Sequence, residues 1–161
     1  MDIYMNYSDK LWMNHALMLT ERAEVEEEIP VGAVLILNGN IIGEGWNSSI
    51  GHNDPTAHAE IIALRQGGQR IKNYRLLESI MYVTLEPCIM CAGAMIHARI
   101  SRLVFGAKAK KNGAAGSFLN ILKNKNINHK IIINSGIQAQ QCSLQLSKFF
   151  QQCRYRKKIR F

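Results

Sequence analysis

The chain has 161 residues and a mass of 18.2 kDa, the size of one domain that can bury a substantial core. With 47% hydrophobic and 20% charged residues, the composition excludes a disordered or fibrous protein. No apolar run reaches the roughly 20 residues of a membrane-spanning helix, and Asp2 and Asp9 stand where a signal peptide would be apolar. We therefore expect residues 1–161 to form a single cytoplasmic domain with no membrane partner.

Charge is distributed unevenly along the sequence. All twelve Asp and Glu residues lie in the first 86 positions, together with six Lys and Arg residues. The remaining positions contain fourteen Lys and Arg residues and no acidic residue, and they end in a basic C-terminal tail at about 152–161. Such a segment indicates a nucleic-acid partner, and a solvated tail that aids solubility is the alternative.

The first half of the sequence predicts a helix, a hairpin and a second helix. Asn38-Gly39-Asn40 favours the hairpin turn, because Asn and Gly tolerate positive φ. The predicted elements are a helix at 8 to about 25 capped by Ser8, antiparallel strands at 31–37 and 41–46, a polar loop at 47–55, and a helix that begins at Thr56 and is closed by Gly67-Gly68.

The second half predicts strands that alternate with helices. The elements are a strand at 80–85, a helix from Pro87 in its first turn to about Arg99, a strand at 103–106, a basic loop at 107–116, a short helix at 117–122, a strand at 130–134 and a helix at 138 to about 152. This order predicts an α/β fold in which helices cover both faces of a mixed sheet.

Two short segments contain the residue types that bind zinc. Cys88 and Cys91 are three positions apart, so on a helix they lie on one face, and His58 supplies a third ligand from another helix start. The Cys pair by itself would also fit a redox pair or half of a zinc ribbon. With three protein ligands one tetrahedral position stays open, which is typical of catalytic zinc. We predict one Zn²⁺ per chain.

Glu60 lies two positions after His58 and is the candidate general acid/base. Zinc bound by two thiolates and an imidazole has no net charge and acidifies water weakly, so a nearby carboxylate must help to move the proton. Glu86 is expected either to support this site or to cap the helix after Pro87. His97 is expected to be a packed or interface residue, and Cys142 and Cys153 packed or free thiols.

The combination of His58-Ala59-Glu60 with Pro87-Cys88-Ile89-Met90-Cys91 resembles the signature of the zinc-dependent nucleobase deaminases. The resemblance extends from about residue 8 to residue 150 and is to the bacterial tRNA-specific adenosine deaminases within the cytidine/deoxycytidylate deaminase superfamily. It rests also on the runs Gly43–Asn47, Asp54–Glu60, Cys91–Ile100, Phe105–Ala107 and Gly113–Ser117.

This resemblance implies a three-layer α/β/α cytidine-deaminase-like fold and a homodimer. It implies hydrolysis of the wobble adenosine of a tRNA anticodon stem-loop to inosine, with release of ammonia. The implied roles are zinc binding by His58, Cys88 and Cys91, proton transfer by Glu60, a hydrogen bond from Asn47 to the base, and contact of Phe149 or, more specifically, Phe150 with the extruded nucleotides.

Two alternatives remain open from the sequence. The first is a zinc deaminase of a small substrate such as cytidine, deoxycytidylate or guanine, which would need no basic RNA-binding surface. The second is a non-catalytic, zinc-containing RNA-binding module in which Glu60 is incidental. The basic second half without acidic residues argues against a small substrate. The open ligand position argues against a non-catalytic module.

Overall fold

The computed structural model describes residues 2–159, with side chains for 7–158; Arg160 and Phe161 of the expected tail lie outside the described residues. The elements in chain order are α1 (Asp2–Val25), β1 (Gly32–Leu37), β2 (Asn40–Trp46), α2 (Ala59–Ile71), β3 (Ile80–Leu85), α3 (Ile89–Ala98), β4 (Arg102–Ala107), β5 (Ile132–Ser135) and α4 (Ala139–Ile159). Within residues 2–159, no helix combines the length and apolar character needed to cross a membrane.

The strands form one sheet in the order β2-β1-β3-β4-β5. β1 pairs antiparallel with both β2 and β3, whereas β3, β4 and β5 are parallel neighbours. Asn38 and Gly39 have φ values of 50° and 72° in the turn between β1 and β2. The predicted hairpin and the predicted mixed sheet are therefore confirmed.

Helices cover both faces of the sheet because successive residues of its central strands point to opposite faces and are apolar on both. Leu35, Val83 and Phe105 belong to the core that α2 and α3 complete. Val34 and Val104 belong to the core on the opposite face, which α1 and α4 complete. This three-layer α/β/α arrangement confirms the predicted fold class.

A buried polar network ties α1 to the sheet. Nη1 and Nη2 of Arg102 donate to the two carboxylate oxygens of Asp9 at 2.8 and 2.6 Å, and the Tyr82 hydroxyl donates to Oδ1 at 2.8 Å. Nε of Arg102 donates to Asn134 at 2.8 Å, which extends the network to β5. Burial, together with the hydrogen bond to Asp9, raises the pKa of Tyr82. Every member of the network thus has a partner.

The predicted N-cap of the first helix is wrong. The helix already begins at Asp2, so Ser8 lies inside it. No Gly or Pro separates residues 2 and 8, and a serine by itself does not stop a helix that neighbouring residues continue.

The second helix differs from its prediction at both ends. Thr56 donates its backbone N–H to Asp54 at 2.8 Å in a turn, so the helix begins only at Ala59. It passes through Gly67 and Gly68 and ends at Ile71, and its C-cap Lys72 has a φ of 55°. A Cβ at Gly67 would lie 2.6 Å from Cδ2 of Leu35, so this glycine permits close helix–sheet packing and does not end the helix.

Three predictions in the second half are also corrected. Cys88 is the N-cap of α3, so Pro87 precedes the cap and is not in the first turn. Residues 117–122 form no helix, because Gly116 at φ 133° turns the chain back into a bridge between Ala115 and Asn120. α4 continues to Ile159, so the basic residues up to 158 are helical and not a loose tail.

Candidate metal and catalytic site

The three predicted metal ligands meet at the edge of the sheet where β2 and β3 end. His58 and Cys88 are the N-caps of α2 and α3, and both have extended backbone angles that turn the chain from a loop into a helix. Cys91 follows in the first turn of α3 and is buried. Both helix N-termini therefore point at one site and favour negative charge there.

Glycines in β2 bring α2 close to the sheet beside this site. A Cβ at Gly45 would lie 2.1 Å from the carbonyl oxygen of Ala59, so α2 could not lie where it does if residue 45 had a side chain. Oδ1 of Asn47 accepts a hydrogen bond from the backbone N–H of Ala59 at 3.0 Å. Asn47 therefore fixes the first turn of α2, directly after His58.

The distances between the ligand atoms fit a tetrahedral zinc ion. Nδ1 of His58 lies 3.7 Å from Sγ of Cys88 and 3.5 Å from Sγ of Cys91. Zinc–sulfur and zinc–nitrogen bonds of ordinary length at tetrahedral angles place such atoms about 3.6 Å apart. In the part of the chain that the structure describes, no other His, Cys or carboxylate joins this group. The donor set therefore fits zinc with three protein ligands.

The two cysteines have opposite pKa shifts. A hydrogen bond with Cys91 lowers the pKa of Cys88 to about 4 against the effect of burial, and His58 lowers it further. The same contact, together with burial, raises the pKa of Cys91. The hydrogen bond with Cys88 raises the pKa of His58. The lowered pKa of Cys88 favours its thiolate, which is the form that binds metals.

Glu60 lies in the first turn of α2 and is only 3% exposed. Burial raises the pKa of its carboxyl group, and the charge on His58 partly opposes this shift. The structure thus brings Glu60 into contact with the metal-ligand group, as the motif predicts. Its role in catalysis stays a prediction.

Phe150 lies apart from the metal ligands. It lines a cavity of about 730 Å³ together with Lys110, Lys111 and Arg154, and His58, Cys88 and Cys91 are not among the residues that line this cavity. Phe150 is 42% exposed, whereas Phe149 is half-buried and meets it edge to face at 5.6 Å between ring centroids. One ring of the pair is thus available to a ligand.

Glu86 has a function that the sequence did not reveal. Its carboxylate accepts hydrogen bonds from the backbone of Ala109, Ala115 and Ser117, and from the Ser117 hydroxyl, instead of capping α3. Burial raises the pKa of Glu86, but these hydrogen bonds outweigh burial and hold it below its usual value. The only sequence signal was an acidic residue directly after a buried strand. Its partners lie 23 to 31 positions later.

Residues 6–107 match the family model described as the cytidine and deoxycytidylate deaminase zinc-binding region. The chain belongs to this family. The matched range includes His58, Glu60, Cys88 and Cys91, so the site described above lies within the zinc-binding region of this family.

Among curated relatives, the chain is similar to the tRNA-specific adenosine deaminase of Haemophilus influenzae. The two are 57% identical over 152 residues, which cover 94% of this chain and 88% of the relative. The tRNA-specific adenosine deaminase of Bacillus subtilis is 38% identical over 150 residues, covering 93% of each chain.

Solved structures agree with this family. A chain from a study of A-to-I editing by tRNA:A34 deaminases at the wobble position superimposes with a TM-score of 0.81 and 37% identity, over 83% of this chain and 97% of that chain. A guanine deaminase from Nitrosomonas europaea has a TM-score of 0.74 at 22% identity, over 87% and 83% of the chains, and shares the fold.

Proposed function

We propose that this chain is a zinc-dependent hydrolase that deaminates adenosine to inosine at the wobble position of a tRNA anticodon and releases ammonia. The observation that carries the proposal is the group of His58, Cys88 and Cys91 with its open fourth position beside the buried Glu60. The relatives named for tRNA adenosine deamination and the basic second half of the chain support tRNA as the substrate.

His58, Cys88 and Cys91 would hold the zinc ion. When bound there, zinc supplies Lewis-acid chemistry that makes a water molecule acidic enough to act as a nucleophile near neutral pH. The N-termini of α2 and α3 stabilise the negative charge of the two thiolates.

Glu60 moves the protons of the reaction. Its carboxylate accepts a proton from the attacking water and delivers it to N1 of adenine as the new bond to C6 forms. It then transfers the second proton of the water to the amino group, which leaves C6 as ammonia. Water and adenosine are thereby converted to inosine and ammonia, and Glu60 returns to its starting state.

Asn47 is the residue that we assign to binding of the base. Its Oδ1 is occupied by the backbone N–H of Ala59, so its Nδ2 group is the part that can donate to an acceptor atom of adenine. No residue of the described chain accepts a hydrogen bond from Nδ2 in the structure. Asn47 would thus hold the first turn of α2 through its Oδ1 and contact the base through its Nδ2.

The cavity lined by Phe150 binds the RNA backbone and a base of the anticodon loop. Lys110, Lys111 and Arg154 supply positive charge for phosphates, and the exposed ring of Phe150 supplies a face for stacking. Phosphate contacts and aromatic stacking are the two interactions that single-stranded RNA loops offer.

We propose further that the enzyme is a cytoplasmic homodimer. The resemblance to the deaminases supports this assembly, and Tyr74, Leu77 and Ile89 expose apolar side chains in or next to the α2–α3 layer. Sedimentation velocity of the purified chain would distinguish a dimer from a monomer.

The experiment that tests the proposed function uses the purified, zinc-loaded protein. We would incubate it with an anticodon stem-loop that has adenosine at the wobble position, and detect inosine by mass spectrometry. A stem-loop with cytosine at that position and the free nucleosides serve as alternative substrates. Inosine formed only in the adenosine stem-loop supports the proposal. Deamination of cytosine or of a free nucleoside would instead assign a different substrate to the same zinc site.

A further inference from the structure

The buried carboxylate of Glu86 holds a loop at both of its ends. Glu86 is 3% exposed, and its Oε1 accepts hydrogen bonds from the backbone N–H groups of Ala115 and Ser117, both at 3.0 Å. Its Oε2 accepts from the backbone N–H of Ala109 at 3.1 Å and from the Ser117 hydroxyl. Among the described residues, no Lys or Arg forms an ion pair with it. Its negative charge is therefore balanced by loop donors alone.

The segment between these ends, which we term the 109–117 loop, is packed tightly around the carboxylate. A Cβ at Gly113 would lie 2.4 Å from Cδ of Glu86, so residue 113 must be glycine for the loop to close. The N–H of Gly113 donates to the carbonyl of Ala109 at 2.7 Å, and that of Ala114 donates to the carbonyl of Pro87 at 2.8 Å. The loop is thus fastened to the residues that precede Cys88.

The tip of the 109–117 loop carries its exposed positive charge. Lys110 and Lys111 are exposed and line the cavity that Phe150 and Arg154 also line. Because both ends of this short loop bind one buried group, that group determines where the two ammonium groups can reach. A basic loop without such an anchor would sample many positions and lose entropy on binding RNA.

We propose that Glu86 is a positioning residue for substrate binding, which holds Lys110 and Lys111 at the cavity so that they meet the phosphates of the RNA loop. The proposal rests on the proposed function, since it assigns RNA phosphates as the partners of the two lysines. Glu86 acts through the loop and touches neither the base nor the metal.

The main test is Glu86→Gln in the zinc-loaded protein. Whichever way the new amide is turned, its NH₂ group faces at least one backbone N–H, so a hydrogen bond is replaced by a repulsive contact. We expect KM for the adenosine stem-loop to rise about tenfold while kcat changes less than about twofold. Zinc content should not change. Hydrogen exchange should accelerate in the 109–117 loop and not in α2 or α3.

A double-mutant cycle shows whether Glu86 acts through the lysines. Lys110→Ala with Lys111→Ala should weaken stem-loop binding about tenfold in the wild-type background, and less than about twofold in the Glu86→Gln background. Glu28→Gln is the matched control, because Glu28 is equally buried and accepts backbone bonds from Ile50 and Gly51 in another loop. In that background the effect of the lysine substitutions should stay about tenfold.

The outcomes separate the proposal from the proposed function. Unchanged binding by Glu86→Gln, or full additivity with the lysine substitutions, would overturn the positioning role even if the wild-type protein deaminates the stem-loop. If the wild-type protein binds the stem-loop but does not deaminate it, the proposed function is overturned. The double-mutant cycle can still be measured in that case, because it uses binding affinities. If the wild-type protein binds no RNA, both fail. If Glu86→Gln does not fold, Ser117→Ala is the substitute, because it removes only the hydroxyl that donates to Glu86. This variant should also weaken stem-loop binding and accelerate hydrogen exchange in the 109–117 loop, by smaller factors than Glu86→Gln.

Discussion

Arg102 donates two parallel hydrogen bonds to the carboxylate of Asp9, and so joins strand β4 to helix α1 across 93 positions of sequence. Both side chains are almost completely buried, at 11% and 5% exposure. Removal of either partner alone leaves a charge in the protein interior without its counter-ion. The first prediction follows from this pair.

We expect Asp9→Ala to lower the free energy of unfolding by about 3–5 kcal/mol, because the Arg102 guanidinium remains buried and unpaired. Tyr82→Phe removes only one hydrogen bond to the same carboxylate and should cost about 1.5–3 kcal/mol. Urea denaturation measures both. If the two variants lose equal free energies of unfolding, the ion pair contributes no more to stability than the hydrogen bond of the Tyr82 hydroxyl.

Glu60→Gln should retain zinc and lose activity. The amide has nearly the shape of the carboxylate but cannot accept the proton of the attacking water, so we expect kcat to fall by at least about 10²-fold. Inosine formation on the stem-loop measures the rate, and elemental analysis measures the zinc. Wild-type turnover by a zinc-replete Glu60→Gln protein would remove Glu60 from the mechanism.

His58→Ala should abolish zinc binding. Only the two sulfur ligands remain, so we expect the zinc content to fall from about one ion per chain to near zero. A chelator should lower the thermal midpoint of the wild-type protein and leave that of the variant unchanged. His97→Ala is the control, because His97 is exposed on α3 and outside the ligand group, and it should keep its zinc.

The two adjacent phenylalanines of α4 should respond differently to truncation. Phe150→Ala should weaken stem-loop binding by about 1–3 kcal/mol with little change in stability, because the exposed ring offers a stacking face. Phe149→Ala should mainly lower the free energy of unfolding, because that ring is half-buried. Fluorescence titration and urea denaturation separate these effects. The reverse pattern would assign the RNA contact to Phe149.

The basic end of α4 should contribute to RNA binding through its charge. Lys157→Gln with Lys158→Gln should reduce the slope of log K against log salt by about 1.4, if each lysine neutralises one phosphate. Arg156 is left unchanged because it pairs with Glu27 at 2.7 Å. Arg70→Gln with Lys72→Gln is the control, since Arg70 in the last turn of α2 and Lys72 at its C-cap lie about 20 Å along the helix from His58. If the slope does not change, these lysines do not contact RNA phosphates and the end of α4 is only exposed to solvent.

Local patterns predicted the layers and the metal ligands. The strand at 80–85 matches β3 residue for residue, because a continuous apolar run is a signal that is local in sequence. Cys88 and Cys91 could be paired because a separation of three positions on a helix places them on one face, and His58 joined them as a residue at another predicted helix start and through the deaminase signature. For the strand and the cysteine pair, the information lies within a few positions of the residue concerned.

Features that depend on packing between distant segments could not be predicted. The pair Gly67-Gly68 is typical of a helix end. Only the close approach of the Leu35 side chain shows that Gly67 instead permits the helix to pack on the sheet. The contacts of Glu86 are made to a segment that the sequence identifies only as a basic loop. Likewise, the separation of Phe150 from the metal ligands depends on where α4 crosses the sheet. None of these arrangements leaves a periodic signal in the sequence.

The order of the strands turns the uneven charge of the sequence into a gradient across the molecule. The acidic residues lie among the elements up to the end of β3 and at Glu86 directly after it, while β4 and β5 at the other edge of the sheet contain none. Such a molecule has an electric dipole along the sheet. In the field of a polyanion it experiences a torque that turns the β4–β5 side forward before contact. Productive encounters should therefore be more frequent than random orientation allows, and this gain should fade as salt shortens the range of the field.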